Sequence, residues 1–144
     1  MLKYKKLTKL FTPLRKGRKV AQYVLYACPM NNEAFRYYAR LQKVKHLVEE
    51  HYSEKISLQR AANLACMERT SFSRFFGNKV GISFTQWLTQ VRISKAMDLM
   101  MKNNATISEI THEVGFSNLR TFQRAFKKLT DLTPSQFRNK VRPS

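Results

Sequence analysis

Acidic residues are scarce in this chain: nine Asp and Glu stand against 27 Lys and Arg, which leaves a formal net charge of +18. A surface that is only solvated usually mixes both signs, so the excess favours a polyanionic partner such as nucleic acid, an anionic membrane surface or an acidic protein. Cysteine is scarce too, since only Cys28 and Cys66 occur, and the three histidines form no ligand cluster with them. We therefore expect a reducing, cytoplasmic setting and no disulfide, metal or cofactor.

Long apolar runs are also missing. No stretch approaches the ~18 consecutive apolar residues of a membrane span, so we expect no membrane anchor. The sequence contains no phosphate-binding glycine loop and no paired nucleophile and base, so we do not predict an enzyme. An alkyl-transfer reaction at Cys28, which stands in a basic setting, remains an alternative.

Residues 1–31 are predicted to form a basic N-terminal extension. Eight Lys and Arg and no acid fall within residues 1–20, where Pro13 and Gly17 interrupt the run. The extension is either a solvated tail or an arm that adds phosphate contacts. Residues 20–27 fit a short strand or a short helix equally well.

From residue 32 onward the apolar periodicity predicts an all-α fold. We expect one helix from Asn31 or Asn32 to about Tyr52 and a long helix over residues 84–102. The shorter helices are predicted from their caps and stops, with Gly77 and Gly81 ending the helix that starts near Thr70. The predicted capping residues are Ser57, Ser83, Thr106, Ser117 and Thr133.

The two halves of the helical region repeat each other. At offsets of 49 and then 50 residues, the repeat aligns Ser57 with Thr106, Phe72 with Phe122, Arg74 with Arg124, and Phe76 with Phe126. Each half reads as a helix-turn-helix, at about 57–79 and 106–130. The helix between them spans about 28 Å. Two recognition helices could then enter successive major grooves, about 34 Å apart, of an asymmetric DNA site bound by a monomer.

Residues 57–141 resemble the DNA-binding domain of the AraC/XylS family of bacterial transcription regulators. The matching motifs are Ile107-Ser-Glu-Ile110, Gly115-Phe116-Ser117, Phe122-Gln-Arg124, Phe126-Lys-Lys128 and Thr133-Pro-Ser-Gln-Phe-Arg138. The resemblance implies a DNA-binding domain over residues 32–144, a double-stranded DNA partner in the bacterial nucleoid, and activation through contact with RNA polymerase. The roughly 30 preceding residues are too few for the family's ligand-binding barrel, so no small-molecule inducer is expected.

The resemblance also implies the contact residues, and the outer faces of the helices select nearly the same set. The predicted base contacts are Thr70, Ser73, Arg74, Leu119, Arg120, Thr121 and Arg124. The predicted phosphate contacts are Ser71, Lys79, Gln123, Lys127 and Lys128. Arginine can bond the guanine O6 and N7 atoms together, although a phosphate contact is the alternative for each arginine.

The first helix-turn-helix departs from the family pattern. Cys66 stands where the second has the turn residue Gly115, so we expect the first turn to differ in shape. Glu68 replaces a serine cap and would repel phosphates, and Gly77 stands where the second has Lys127. The second helix-turn-helix is therefore predicted to supply more of the discrimination. A non-specific basic protein that coats nucleic acid or an anionic membrane remains the alternative function.

Overall fold

The computed structural model describes residues 30–142, which form an all-helical fold with no strand among them. The predictions made for residues 1–29 lie outside this range. The described helices are α1 (Ala34–Tyr37), α2 (Ala39–His51), α3 (Leu58–Leu64), α4 (Arg69–Val80), α5 (Phe84–Lys102), α6 (Ile107–Glu113), α7 (Leu119–Thr130) and α8 (Pro134–Val141). The predicted all-α class and the bounds of the long helix are confirmed. None of these helices combines the length and the apolar character that a bilayer span requires.

The helices form two compact units that divide within α5, between Val91 and Arg92. The first unit contains α1 to α4 and the beginning of α5, and the second contains the rest of α5 and α6 to α8. Each unit has its own aromatic core. Buried aromatic side chains of the first are Phe35, Phe72, Phe76, Phe84 and Trp87, and those of the second are Phe116, Phe122, Phe126 and Phe137.

The prediction of a single helix over residues 31–52 is wrong. The backbone of Tyr38 is extended, with φ −105° and ψ 108°, and separates α1 from α2. The N-cap positions of α1 and α2 are Glu33 and Tyr38 rather than Asn31 or Asn32, although the Asn31 side-chain oxygen accepts from the Glu33 amide at 3.1 Å. The backbone amide of Asn31 donates to the Val80 carbonyl at 2.8 Å, and its side-chain amide donates to the Lys79 carbonyl at 3.2 Å. Asn31 therefore satisfies carbonyls at the end of α4, a tertiary contact that local propensity does not reveal.

Four of the five predicted caps are confirmed. Ser83 forms a capping box with Gln86 at the start of α5. The hydroxyl of Ser57 accepts from the Arg60 amide, and Thr106 and Thr133 each form a capping box, with Glu109 and Gln136. The prediction for Ser117 is wrong, because the cap of α7 is the next residue, Asn118, whose side-chain oxygen accepts from the Thr121 amide at 2.8 Å. Ser and Asn are comparable N-caps, so composition could not separate them.

The prediction that Gly77 helps to end α4 is wrong. The helix continues through Gly77 and ends at Gly81, whose φ of 93° lies in the left-handed region. A Cβ added at Gly77 would meet no atom within 4 Å. Gly77 is therefore an interior helical glycine in open space, whereas Gly81 supplies the positive φ of the C-cap.

Replacing Gly77 with Ala should raise the free energy of unfolding by about 0.5–1 kcal/mol, because alanine loses less backbone entropy in a helix. Gly81→Ala is the matched control and should have the opposite sign, because alanine is strained at a φ of 93°. Denaturant unfolding of both variants measures the two effects. Destabilisation by Gly77→Ala would show that the space around this position is not open.

Replacing Glu109 with Gln should make the stability of the fold depend less on pH in the acidic range. The Thr106 amide donates to the Glu109 carboxylate at 2.6 Å, and this bond holds the pKa of Glu109 below its usual value of 4.5. A carboxyl whose pKa is lower in the folded state stabilises the fold above pH 4.5, and this contribution is lost as the pH falls through the folded value. Gln136 shows that glutamine forms the same box at α8. The glutamine variant should therefore unfold at a somewhat lower temperature than wild type at pH 7, where it lacks the charge, and the two unfolding temperatures should converge below pH 4.5 as the carboxyl of the wild type is protonated. Parallel losses in both proteins would contradict this account.

Candidate nucleic-acid interface

The repeat in the sequence is also a repeat in geometry. In the first unit the Phe72 and Phe76 rings are 5.8 Å apart at 49°, and in the second the Phe122 and Phe126 rings are 5.7 Å apart at 51°. The next contact also matches: Phe76 lies 5.6 Å from Trp87, and Phe126 lies 5.6 Å from Phe137. These buried rings hold α4 and α7 in equivalent positions within their own units.

The turn of the first unit keeps the form of the second, contrary to the expectation drawn from Cys66. Cys66 has a φ of 54° and Gly115 a φ of 99°, so both occupy the left-handed side. Both turns use the same two backbone hydrogen bonds. The amide of the left-handed residue donates to the carbonyl three positions earlier in the chain, and the amide of the next residue donates to the carbonyl five positions before itself. The amide–carbonyl pairs are Cys66–Asn63, Met67–Ala62, Gly115–His112 and Phe116–Thr111. The first turn therefore keeps its shape at the cost of a non-glycine residue in a left-handed conformation.

The outer face of α7 is cationic and unpaired. Arg120, Arg124 and Lys127 are exposed, whereas Phe122 and Phe126 on the other side are fully buried. Within residues 30–142, no salt bridge engages these three cations. Their charges are therefore available to an external anion. The remaining predicted contacts of α7, all exposed, are Leu119, Thr121, Gln123 and Lys128.

The outer face of α4 is less strongly charged. Thr70, Ser73 and Arg74 are exposed, and Arg74 is the cation on this face that corresponds to Arg124. The predicted contact Ser71 is exposed as well, but its hydroxyl lies 3.5 Å from a carboxylate oxygen of Glu68. The face that α4 offers to an anion is thus narrower than that of α7.

Lys79 is the predicted contact that lies away from the outer face. It follows Arg74 by five residues, about 140° around the helix. The repeat matches it to Leu129, which is 7% exposed, and its Nζ lies 5.2 Å from the centre of the Tyr38 ring. Lys79 is exposed, but its ammonium group packs over an aromatic ring of its own unit.

Sequence reasoning missed Arg69. This exposed residue begins α4 at the position that Leu119 occupies in α7. The repeat offset of 50 residues, applied to Leu119, would have selected it. An arginine in the first turn adds a cation beside the predicted contact Thr70.

Both recognition helices begin at a side-chain cap, but the two caps differ in charge. The Glu68 carboxylate accepts from the Thr70 amide at 2.9 Å and from the Ser71 amide at 3.0 Å. These backbone hydrogen bonds lower the pKa of Glu68, so the group is ionised at neutral pH. Asn118, the cap of α7, is neutral. The described residues also include no group of three or more His, Cys, Asp or Glu side chains that could hold a metal ion.

Two helix-turn-helix units, each with a cationic helix face opposite a phenylalanine core, define a class of nucleic-acid-binding proteins. A family model described as a helix-turn-helix domain matches residues 61–140. The HTH-type transcriptional activator Btr of Bacillus subtilis is 32% identical over 102 residues, which are 71% of this chain and 19% of Btr. The chain thus spans about a fifth of the length of this curated relative.

Solved structures agree with the sequence matches. The C-terminal domain of AraT, a response regulator from Geobacillus stearothermophilus, aligns with a TM-score of 0.68 at 28% identity, over 74% of this chain and 88% of that domain. The DNA-binding domain of AdpA, solved in complex with a target DNA, aligns with a TM-score of 0.67 at 25% identity, over 73% and 97%. The chain belongs to the AraC-type helix-turn-helix family.

Proposed function

We propose that this regulator binds a specific, asymmetric DNA site as a monomer, by inserting α4 and α7 into successive major grooves. The observation that carries the proposal is the pair of equivalent helices whose arginines are exposed and unpaired within the described residues. The 19-residue helix α5 contributes residues to both units and is about 28 Å long, and successive major grooves lie about 34 Å apart. The DNA-binding domain is assigned to residues 32–144.

Direct base readout is assigned to the outer faces of α4 and α7. Arg74, Arg120 and Arg124 would each bond a guanine through O6 and N7, a contact worth about 1–3 kcal/mol of discrimination. Thr70, Ser73, Thr121 and Leu119 would contact the neighbouring base edges, where Leu119, 37% exposed, can meet a thymine methyl group. Phosphate contacts that fix the register are assigned to Ser71, Gln123, Lys127 and Lys128.

The regulator is proposed to act in the cytoplasm as an activator that contacts RNA polymerase. The support is the family resemblance and the activator Btr, which is similar to this chain over 102 residues. Transcription in vitro from a promoter carrying the selected site tests the direction of regulation. Transcript that increases with added protein supports activation, and transcript that decreases contradicts it.

A non-specific nucleic-acid coat is the competing function, and the net charge of +18 favours it. Competition separates the two, because non-specific binding collapses at moderate salt in excess bulk duplex whereas specific binding persists. A duplex selected by this protein from a random library should therefore stay bound when bulk duplex is added. Release at the same competitor concentration as a scrambled duplex would favour the coat.

Replacing Lys127 with Ala should weaken binding to every duplex by a similar factor and should lower the salt slope by about 1, because one phosphate contact is lost. Lys79→Ala is the matched control. It removes the same charge from α4, where the ammonium lies over Tyr38, and should leave the slope nearly unchanged. Affinity measured against salt concentration for both variants checks the assignment. A change of sequence preference in Lys127→Ala, or equal slopes in the two variants, would contradict it.

A further inference from the structure

The N-caps of the two recognition helices differ in one charge. Glu68 and Asn118 occupy the same cap position of α4 and α7. The Asn118 amide oxygen accepts from one backbone amide, that of Thr121. Glu68 engages two amides through its two carboxylate oxygens. Helix α4 therefore begins with a full negative charge, and α7 begins with a neutral group.

This charge stands at the end of the helix that contacts DNA. In helix-turn-helix proteins the N-terminal residues of the recognition helix contact base edges, and nearby backbone amides commonly donate to phosphates. In α4, Glu68 already takes the amides of Thr70 and Ser71, and one of its oxygens lies 3.5 Å from the Ser71 hydroxyl. A phosphate that approached this turn would meet a carboxylate and amides that are already bonded.

The rest of α4 offers less positive charge to offset this repulsion than α7 offers. At the position of Lys127 it has Gly77, and a Cβ there would meet nothing within 4 Å. The ammonium of Lys79 lies over the Tyr38 ring, away from the outer face. Arg74 is therefore the cation on the outer face of α4, with the exposed Arg69 in its first turn, whereas α7 has Arg120, Arg124, Lys127 and Lys128.

We propose that Glu68 is a specificity-determining residue that weakens the docking of α4 and thereby shifts most of the sequence discrimination to α7. The proposal rests on the proposed function, because it requires α4 and α7 to bind the same duplex. Like charges placed opposite each other disfavour a complex without disturbing the fold of either partner. The cap stabilises α4 in the free protein, and the same carboxylate opposes phosphate in the complex.

The test replaces Glu68 with other residues that can cap α4, so that the helix itself is retained. Glu68→Asn copies the cap of α7, Glu68→Ser is a second neutral cap, and Glu68→Asp keeps the charge. All three side chains are good N-caps, so thermal unfolding should remain near that of wild type. The reciprocal variant Asn118→Asp places a charge on α7. The full chain is used throughout, with a duplex selected from a random library and two derivatives in which one half-site or the other is scrambled.

Arg74→Ala identifies the half-site that α4 binds: in this variant, scrambling that half-site should no longer reduce the affinity. The neutral variants should bind the selected duplex roughly threefold to tenfold more tightly than wild type, with a similar increase in the penalty for scrambling the α4 half-site. Glu68→Asp should match wild type, and Asn118→Asp should reduce the penalty at the α7 half-site.

Three results would overturn the proposal, and the third is distinguishable from the first two. If wild type shows a penalty at each half-site but the neutral variants show the same two penalties, the role of Glu68 is wrong and the proposed function stands. A change in Glu68→Asp as large as that in Glu68→Asn has the same meaning, because the effect is then not one of charge. If wild type shows no penalty at either half-site, both the proposed function and the role of Glu68 are wrong.

Discussion

Replacing Arg124 with Ala should reduce the affinity for the selected duplex by about 1–3 kcal/mol, roughly fivefold to 150-fold, and should relax the preference at one base pair. Arg124 is exposed on the outer face of α7, opposite the buried Phe122 and Phe126, and no salt bridge in the described part of the chain engages it. Affinities for the selected duplex and for its single-base variants measure both effects.

Arg124→Lys and Arg74→Ala are the controls for this prediction. Lysine keeps the charge but loses the planar fork, so Arg124→Lys should keep most of the non-specific affinity and lose the preference at that base pair. Arg74→Ala is the equivalent change on α4. It should reduce the discrimination between the selected duplex and its single-base variants by less, because Glu68 and Gly77 weaken the binding of α4 to DNA. A larger loss of discrimination in Arg74→Ala than in Arg124→Ala would reverse the ranking of the two units.

Replacing Phe126 with Ala should destabilise the second unit by about 3–5 kcal/mol and should abolish specific binding. The Phe126 side chain is fully buried, and its ring lies 5.7 Å from Phe122 and 5.6 Å from Phe137. Truncation removes contacts to both rings and leaves a cavity in a core that supports α7 and α8. Denaturant unfolding followed by circular dichroism measures the stability, and binding to the selected duplex measures the consequence.

Leu119→Ala is the matched control for Phe126→Ala. It removes an apolar side chain from the same helix, but Leu119 is 37% exposed, so the stability should change by less than about 1 kcal/mol. Any loss of binding by Leu119→Ala then reports a contact to DNA and not a loss of fold. Equal destabilisation by the two substitutions would contradict the assignment of Leu119 to the edge of the interface.

Much of this fold was predictable because the same spacing of apolar core residues occurs twice in the sequence, once in each repeat. The buried faces of α4 and α7 follow from a period of 3.6 residues, and the bounds of α5 were predicted correctly over 84–102. What could not be predicted depends on tertiary contacts. The extended Tyr38 packs its ring against Phe75 at 5.4 Å, and this contact is between residues far apart in the chain. Local signals predicted an unbroken helix there.

The candidate interface was predictable in outline for the same reason. A residue opposite a buried phenylalanine must face outward, which selects Arg74 and Arg124 without further information. The exception, Lys79, shows the limit of this reasoning. Its place over the Tyr38 ring depends on how α1 packs against α4, and the periodicity of one helix carries no information about its neighbours. Arg69 was missed although the repeat contained the signal.

Methylation protection of guanine N7 tests the central claim, that two equivalent helices bind successive major grooves of one duplex. Arginine bonded to guanine covers N7 in the major groove. The full chain, bound to a duplex that it has selected, should protect two clusters of guanines about 10 base pairs apart. Arg74→Ala should remove protection from one cluster and Arg124→Ala from the other. A single protected cluster, or protection that is equally weak along the whole duplex, would contradict the account.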